Sequence, residues 1–170
     1  MPHSPNRVRK SGILPDTALP NEGIYVLRIR LRSCLWLAAG ALPRRAYPGG
    51  IYWYVGSAQR NLHSRVSRHL RTEKPLRWHI DYLLVKPEAE INAVFTLCAD
   101  KSLECETAGR LGLHGEPVPR FGASDCRCTA HLVRTDEERG QAVAAQLMDL
   151  GFTESTLQEE HGAQQKEPRS

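Results

Sequence analysis

Gly23-Ile24-Tyr25-Val26-Leu27-Arg28-Ile29-Arg30-Leu31 and, further on, Ile51-Tyr52-Trp53-Tyr54-Val55-Gly56 are the stretches on which the fold turns. In the first, apolar and basic side chains alternate after Tyr25. That period of two marks a half-buried strand with a wet, positive outer face. The second is dense in aromatic and β-branched residues, which suit a pleated surface, and it stops at Gly56. Between them, residues 34–38 read as a short strand pairing back on the first as a hairpin. Pro43, Pro48, Gly49 and Gly50 then break the chain, with Arg44 and Arg45 among them.

Beyond Gly56-Ser57-Ala58 the period changes. Leu62, Val66 and Leu70 fall four apart, an apolar helical stripe, and the other faces carry Arg60, Arg65, Arg68, Arg71 and then Lys74. Pro75 ends that helix. Residues 76–84 read as a second helix, 91–97 as a strand, and 103–111 as a helix closed by Gly112 and Gly115. A loop over 121–133 leads into a last short strand. Asp136-Glu137-Glu138 opens a final helix over 142–150, acidic residues suiting an N-terminus. The order β-β-β-α-α-β-α, with that strand and helix after it, predicts a mixed α/β fold. Its small, mainly antiparallel sheet is flanked by helices.

At 170 residues and 41% hydrophobic content the chain suits one domain with a real core. Residues 1–20 hold four prolines and several basic side chains without apolar periodicity, and read as a flexible basic arm. Residues 21–135 form the main domain, 136–152 a C-terminal helix, and 153–170 a polar tail expected to lack structure. The arm has no apolar signal-peptide core, and the longest apolar run, 34–42, is too short for a bilayer. Five cysteines make an odd count, so free thiols in a reducing cytoplasm are the expectation.

Phosphodiester hydrolysis needs a hydroxyl or ordered water relieved of a proton, and a guanidinium on a non-bridging phosphate oxygen. It also needs a carboxylate to hold a hard cation that neutralises the leaving oxygen. Tyr25 and Tyr54 fall on two strands of the sheet, Arg65 on the basic helix, and Glu104 at the start of a later helix. Glu106 competes with Glu104. Two apart on a helix they point about 200° from each other, so only one can face the site.

These residues carry a resemblance. The ordered set Gly23-Ile24-Tyr25, Tyr54-Val55-Gly56-Ser57-Ala58, Asn61-Leu62 with Arg65, Arg68-His69, Trp78-His79-Ile80-Asp81-Tyr82, Glu104-Cys105-Glu106 and Phe121-Gly122 through His131-Leu132 resembles the GIY-YIG nuclease superfamily. Its small stand-alone Uri-type branch is the nearest likeness, over roughly residues 22 to 134. The resemblance implies an endonuclease dependent on Mg²⁺ or Mn²⁺, with DNA favoured over RNA as partner. It implies Tyr25 as the tyrosine that activates or orients the attacking water, with Tyr54 beside it. It implies Arg65 as the phosphate ligand, His69 as a helix histidine facing the site, and Glu104 as the metal ligand. A catalytically silent nucleic-acid-binding module of the same fold is the alternative.

Other residues admit two readings. Arg60, Arg65, Arg68, Arg71, Lys74 and Arg77 against the single acid Glu73 suggest a phosphate-facing surface or an ordinary solvated one. Cys126-Arg127-Cys128 with His131, joined by Cys105, offers three thiolates and an imidazole to zinc, or simply packs. His79 and Asp81, two apart on a helix, do not face each other, so His79 reads as structural. Trp36, Trp53 and Trp78 suit base stacking or the core equally.

Overall fold

A computed structural model describes residues 12–14 and 19–159. In chain order the strands are β1 (Gly12–Ile13), β2 (Gly23–Leu31), β3 (Leu35–Leu37), β4 (Arg45–Tyr47), β5 (Gly50–Ala58), β6 (Ala89–Leu97), β7 (Glu116–Pro117), β8 (Leu132–Thr135), β9 (Thr153–Thr156) and β10 (Gln158–Glu159). The helices are α1 (Leu62–Leu70), α2 (His79–Leu84), α3 (Leu103–Gly112) and α4 (Glu137–Asp149). The class is the expected one: mixed α/β, with a six-stranded antiparallel sheet in the order β7-β8-β5-β2-β6-β9. No helix among the described residues is long and apolar enough to cross a membrane.

The two deciding stretches form the sheet's centre. β2 and β5 pair along their whole length, Tyr25 opposite Gly56 and Leu27 opposite Tyr54, while β6 takes the other edge of β2. Helices cover both faces of β2 as well, and the wet outer face expected for it shrinks to its far end. Tyr25, Leu27 and Ile29 join Leu62 and Val66 of α1 and Ile80 and Leu83 of α2 in one core. On the other face Ile24 and Val26 join Ala108 and Leu111 of α3 with Val143 and Leu147 of α4. Only Arg28 and Arg30 reach outward there, Arg28 donating to the Asn92 amide oxygen at 2.7 Å.

Two more expectations need correcting. The segment around residue 36 does not pair with β2, because β5 and β6 occupy both of its edges; β3 pairs with β4 as a separate ribbon. Nor is the chain structureless from 153. β9 adds a polar strand to the edge of β6, and β10 pairs with β1 inside the supposed basic arm. Composition hides β9 because an edge strand needs backbone donors and acceptors more than apolar side chains. The rest of both ends, residues 1–11, 15–18 and 160–170, lies outside the described residues.

Helix starts follow local chemistry. Asn61 sits in the left-handed region (φ 54°), which Asn tolerates better than most residues. Its carbonyl accepts from Arg65 N at 3.1 Å, while Asn21 binds the N–H groups of Asn61 and Leu62. Asp136 caps α4 by accepting from Arg139 N at 2.8 Å. Pro75 and the extended Trp78 delay α2 to His79, later than the expected 76.

Candidate active site

The β2–β5 register puts Tyr25 and Tyr54 on one face of the sheet, ring centroids 6.5 Å apart. Tyr25 lies across Gly56. A Cβ there would come within 2.4 Å of the phenol Cζ and Oη, so glycine is what lets the ring lie down. From α1, His69 reaches the phenol, with Nε2 at 2.8 Å from Tyr25 Oη. Burial, then the charge of Lys74, pushes the His69 imidazole down to about 3. Burial likewise raises Tyr25 and Tyr54 well above the ordinary phenol value, with only Arg65 pulling clearly the other way. The phenol is thus held protonated and the imidazole neutral, so Tyr25 donates to His69. The other ring nitrogen, Nδ1, is buried without a hydrogen-bond partner.

Arg65 stands one turn before His69 on the same helix face. Its Nη1 donates to the Ser57 carbonyl at 3.3 Å, and its guanidinium lies 4.8 Å from the Trp78 ring centre. Among the described residues no carboxylate pairs with it. Glu104, in the first turn of α3, faces the same space. Ser57 Oγ donates to its Oε2, and His131 Nδ1 lies 3.1 Å from its Oε1. Burial opposes its charge, but donation from His131 and Ser57 holds the carboxyl below the usual range. Glu106 points outward and pairs with Arg110 at 2.8 Å, so the two carboxylates do diverge as helical geometry requires.

Tyr25, Tyr54, Arg65, Arg77, Lys101 and Glu104 line one cavity of about 430 Å³. The structure therefore gathers a phenol, a guanidinium and a carboxylate around one space. His69 sits behind the phenol rather than on the cavity wall. Asp125 borders the same space, and carboxylate oxygen with room for water is the kind of donor set that suits a partly hydrated Mg²⁺.

The basic run divides. Arg60, Arg71 and Arg77 are exposed, and Arg77 borders the cavity. Arg68 is turned inward: both its terminal nitrogens lie 3.0 Å from the oxygens of Asp81, which is fully buried. Lys74 Nζ caps the end of α1, donating to the carbonyls of His69 at 2.6 Å and Arg68 at 3.2 Å. Neither head group is spare for a phosphate. His79 Nδ1 accepts from Gly122 N at 2.9 Å, and the ring also borders the cavity. Trp53 is core, Trp36 is 65% exposed, and Trp78 meets the guanidinium groups of both Arg65 and Arg68.

Cys105, Cys126, Cys128 and His131 also converge, their ligand atoms all within 4.8 Å of one another. His131 Nε2 lies 3.5 Å from Cys126 Sγ and 3.8 Å from Cys105 Sγ. A tetrahedron with Zn–S near 2.3 Å has edges of about 3.8 Å, so this group can hold a metal such as zinc. Burial and the neighbouring thiols push Cys128 up to about 12, so a cation is what would let all three ionise together.

Sequence reasoning missed Ser57 and His131 as the partners of Glu104, and Lys101 on the cavity wall. No linear pattern signals the first two, because β5, α3 and the loop after β7 meet only in the fold. Residues 24–151 match the family described as domain of unknown function DUF123, and the chain belongs to that family. No curated protein and no solved structure gave a match.

Proposed function

We propose that this protein is a divalent-cation-dependent endonuclease that hydrolyses phosphodiester bonds in nucleic acid, DNA before RNA, through a GIY-YIG-type site of the Uri-type branch. One observation carries the reading. A phenol hydrogen-bonded to a neutral buried imidazole, an arginine without a carboxylate partner and a half-buried glutamate all serve one cavity. Each supplies one requirement of the chemistry. Tyr25 orients the attacking water and takes up its proton as its own passes to His69. The negative phosphate favours that transfer by making the imidazolium less costly than it is in the free protein. Arg65, already fixed by Ser57 and Trp78, forks onto a non-bridging oxygen as charge grows there.

Glu104 would hold Mg²⁺ or Mn²⁺, which supplies Lewis-acid stabilisation of the leaving oxygen when bound. Arg60, Arg71 and Arg77 would meet the flanking phosphates, and Lys101 adds a cation on the cavity wall. The Cys105–Cys126–Cys128–His131 group is assigned to Zn²⁺. Reduced thiols of this kind fit a cytoplasmic site of action.

The test is a cleavage panel of single-stranded, duplex and branched DNA and RNA with Mg²⁺ or Mn²⁺. The expected result is product that EDTA abolishes and that a Glu104→Ala preparation does not make. No product on any substrate, with salt-sensitive binding persisting in EDTA, would place the chain among catalytically silent nucleic-acid-binding modules instead.

A further inference from the structure

Among the described residues, His131 is the side chain that touches both groups of potential metal ligands. Its Nε2 faces the thiols of Cys126 and Cys105, and its Nδ1 faces Oε1 of Glu104 at 3.1 Å. Glu104 and Cys105 are consecutive on α3, so the same turn of helix serves both clusters. A ligating histidine commonly donates its second ring N–H to a carboxylate, which fixes the tautomer and the ring. Here that carboxylate is itself the cavity's candidate cation ligand.

We infer that the thiol cluster is a zinc site coupled to the Glu104 cation site through His131, zinc loading tightening the hold of Glu104 on a hard divalent cation. The inference rests on the reading of Glu104 as a cation ligand. With Nε2 on zinc, the imidazole proton must sit on Nδ1, facing Oε1. With Ser57 on Oε2, the carboxylate is then clamped from both oxygens, and its remaining lone pairs stay turned to the cavity. Without zinc Nδ1 still faces Oε1, but the ring is held from its Nε2 side only by contacts of 3.5 and 3.8 Å with Cys126 and Cys105. Charge does not oppose the coupling, because three thiolates leave a bound Zn²⁺ with about one net negative charge. His131 is in this sense a positioning residue for Glu104.

Cobalt reports on it directly. Co²⁺ loaded into the full chain in place of zinc should give thiolate charge-transfer absorption, and added Mg²⁺ should shift the cobalt bands in a saturable way. Glu104→Gln keeps an acceptor for His131, so its cobalt spectrum should persist while the response to Mg²⁺ disappears. By the reciprocity of linked sites, Mn²⁺ counted by electron paramagnetic resonance should bind roughly tenfold more tightly to zinc-loaded than to zinc-stripped protein. Absence of thiolate absorption, cobalt bands that Mg²⁺ leaves unmoved, or equal Mn²⁺ affinity would each overturn the coupling. Cleavage activity beside unmoved bands would sink this inference and leave the nuclease standing. Responsive bands in a chain that cuts nothing would do the reverse.

Discussion

Arg65 and Arg68 lie three residues apart on α1, and each rests its guanidinium on the Trp78 ring, 4.8 and 4.5 Å from its centre. The charge of Arg68 is answered inside the protein. Arg68 grips a fully buried Asp81, whose Oδ2 also accepts from the backbone N–H groups of Arg77 and Trp78. Burial alone would raise the Asp81 carboxyl, and this ring of donors brings it below its ordinary value instead. Arg65 instead borders a cavity, where it donates to the Ser57 carbonyl and acts on the Tyr25 phenol. The same residue type on the same helix, against the same tryptophan, gives a structural clamp in Arg68 and, on the proposed reading, an anion receptor in Arg65.

That contrast can be broken by experiment. Arg68→Ala leaves a buried carboxylate without its counter-charge, and it should cost about 3–5 kcal/mol of folding stability, read by denaturant unfolding. If it unfolds like wild type, the clamp is not structural. Arg65→Ala should fold nearly as well yet cleave about 10²–10³-fold more slowly, as losing one donor to a developing oxyanion does elsewhere. The loss should fall on rate more than on binding, because the charge Arg65 meets grows in the transition state. Equal losses in affinity and rate would make it an ordinary phosphate anchor.

His69 supplies a pH test of the same region. Its folded value, about 3, is below the ordinary 6.5, so the unfolded chain takes up the proton first. Its contribution is therefore complete above the unfolded value and drains away as pH falls toward 3. The extra slope is at most about 1.4 kcal/mol per pH unit. Asp81 and Glu104 join in only near and below their ordinary 3.8 and 4.5. Between those values and 6.5 His79, likewise lowered by burial, adds to the slope, so His69→Gln should reduce it in urea titrations across that range without abolishing it. The smallest effects are expected at Arg60 and Arg71. Alanine there should change stability by no more than about 0.5 kcal/mol, and should lower the salt dependence of nucleic-acid binding by about one unit per lost phosphate contact.

How much of this the sequence reveals depends on how local each cause is. β2, β5 and the Leu62–Val66 stripe are readable because a period of two or of 3.6 is a local property. Gly56 reads as a strand's end, yet β5 runs on to Ala58, and the glycine's purpose, room for the Tyr25 ring, appears only once two strands are in register. The inward turn of Arg68 was not readable, since nothing near it in sequence announces Asp81 thirteen residues on. The same holds for Ser57 and His131, which reach Glu104 from β5 and from a loop. β9 escaped because its stabilisation comes from hydrogen bonds to β6, which leave no apolar trace. The Cys105–Cys126–Cys128–His131 grouping was visible as residue types, but its contact with Glu104 was not.

The proposed chemistry has Tyr25, on the cavity wall, handing a proton across 2.8 Å to His69 behind it. Single-turnover cleavage by Tyr25→Phe, beside wild type and with unfolding curves for both, tests that most directly. The phenylalanine ring can still lie over Gly56, so the account predicts a folded protein, unchanged salt-dependent binding, and cleavage slowed by about 10²-fold or more. A folded Tyr25→Phe variant that cuts at the wild-type rate would contradict it.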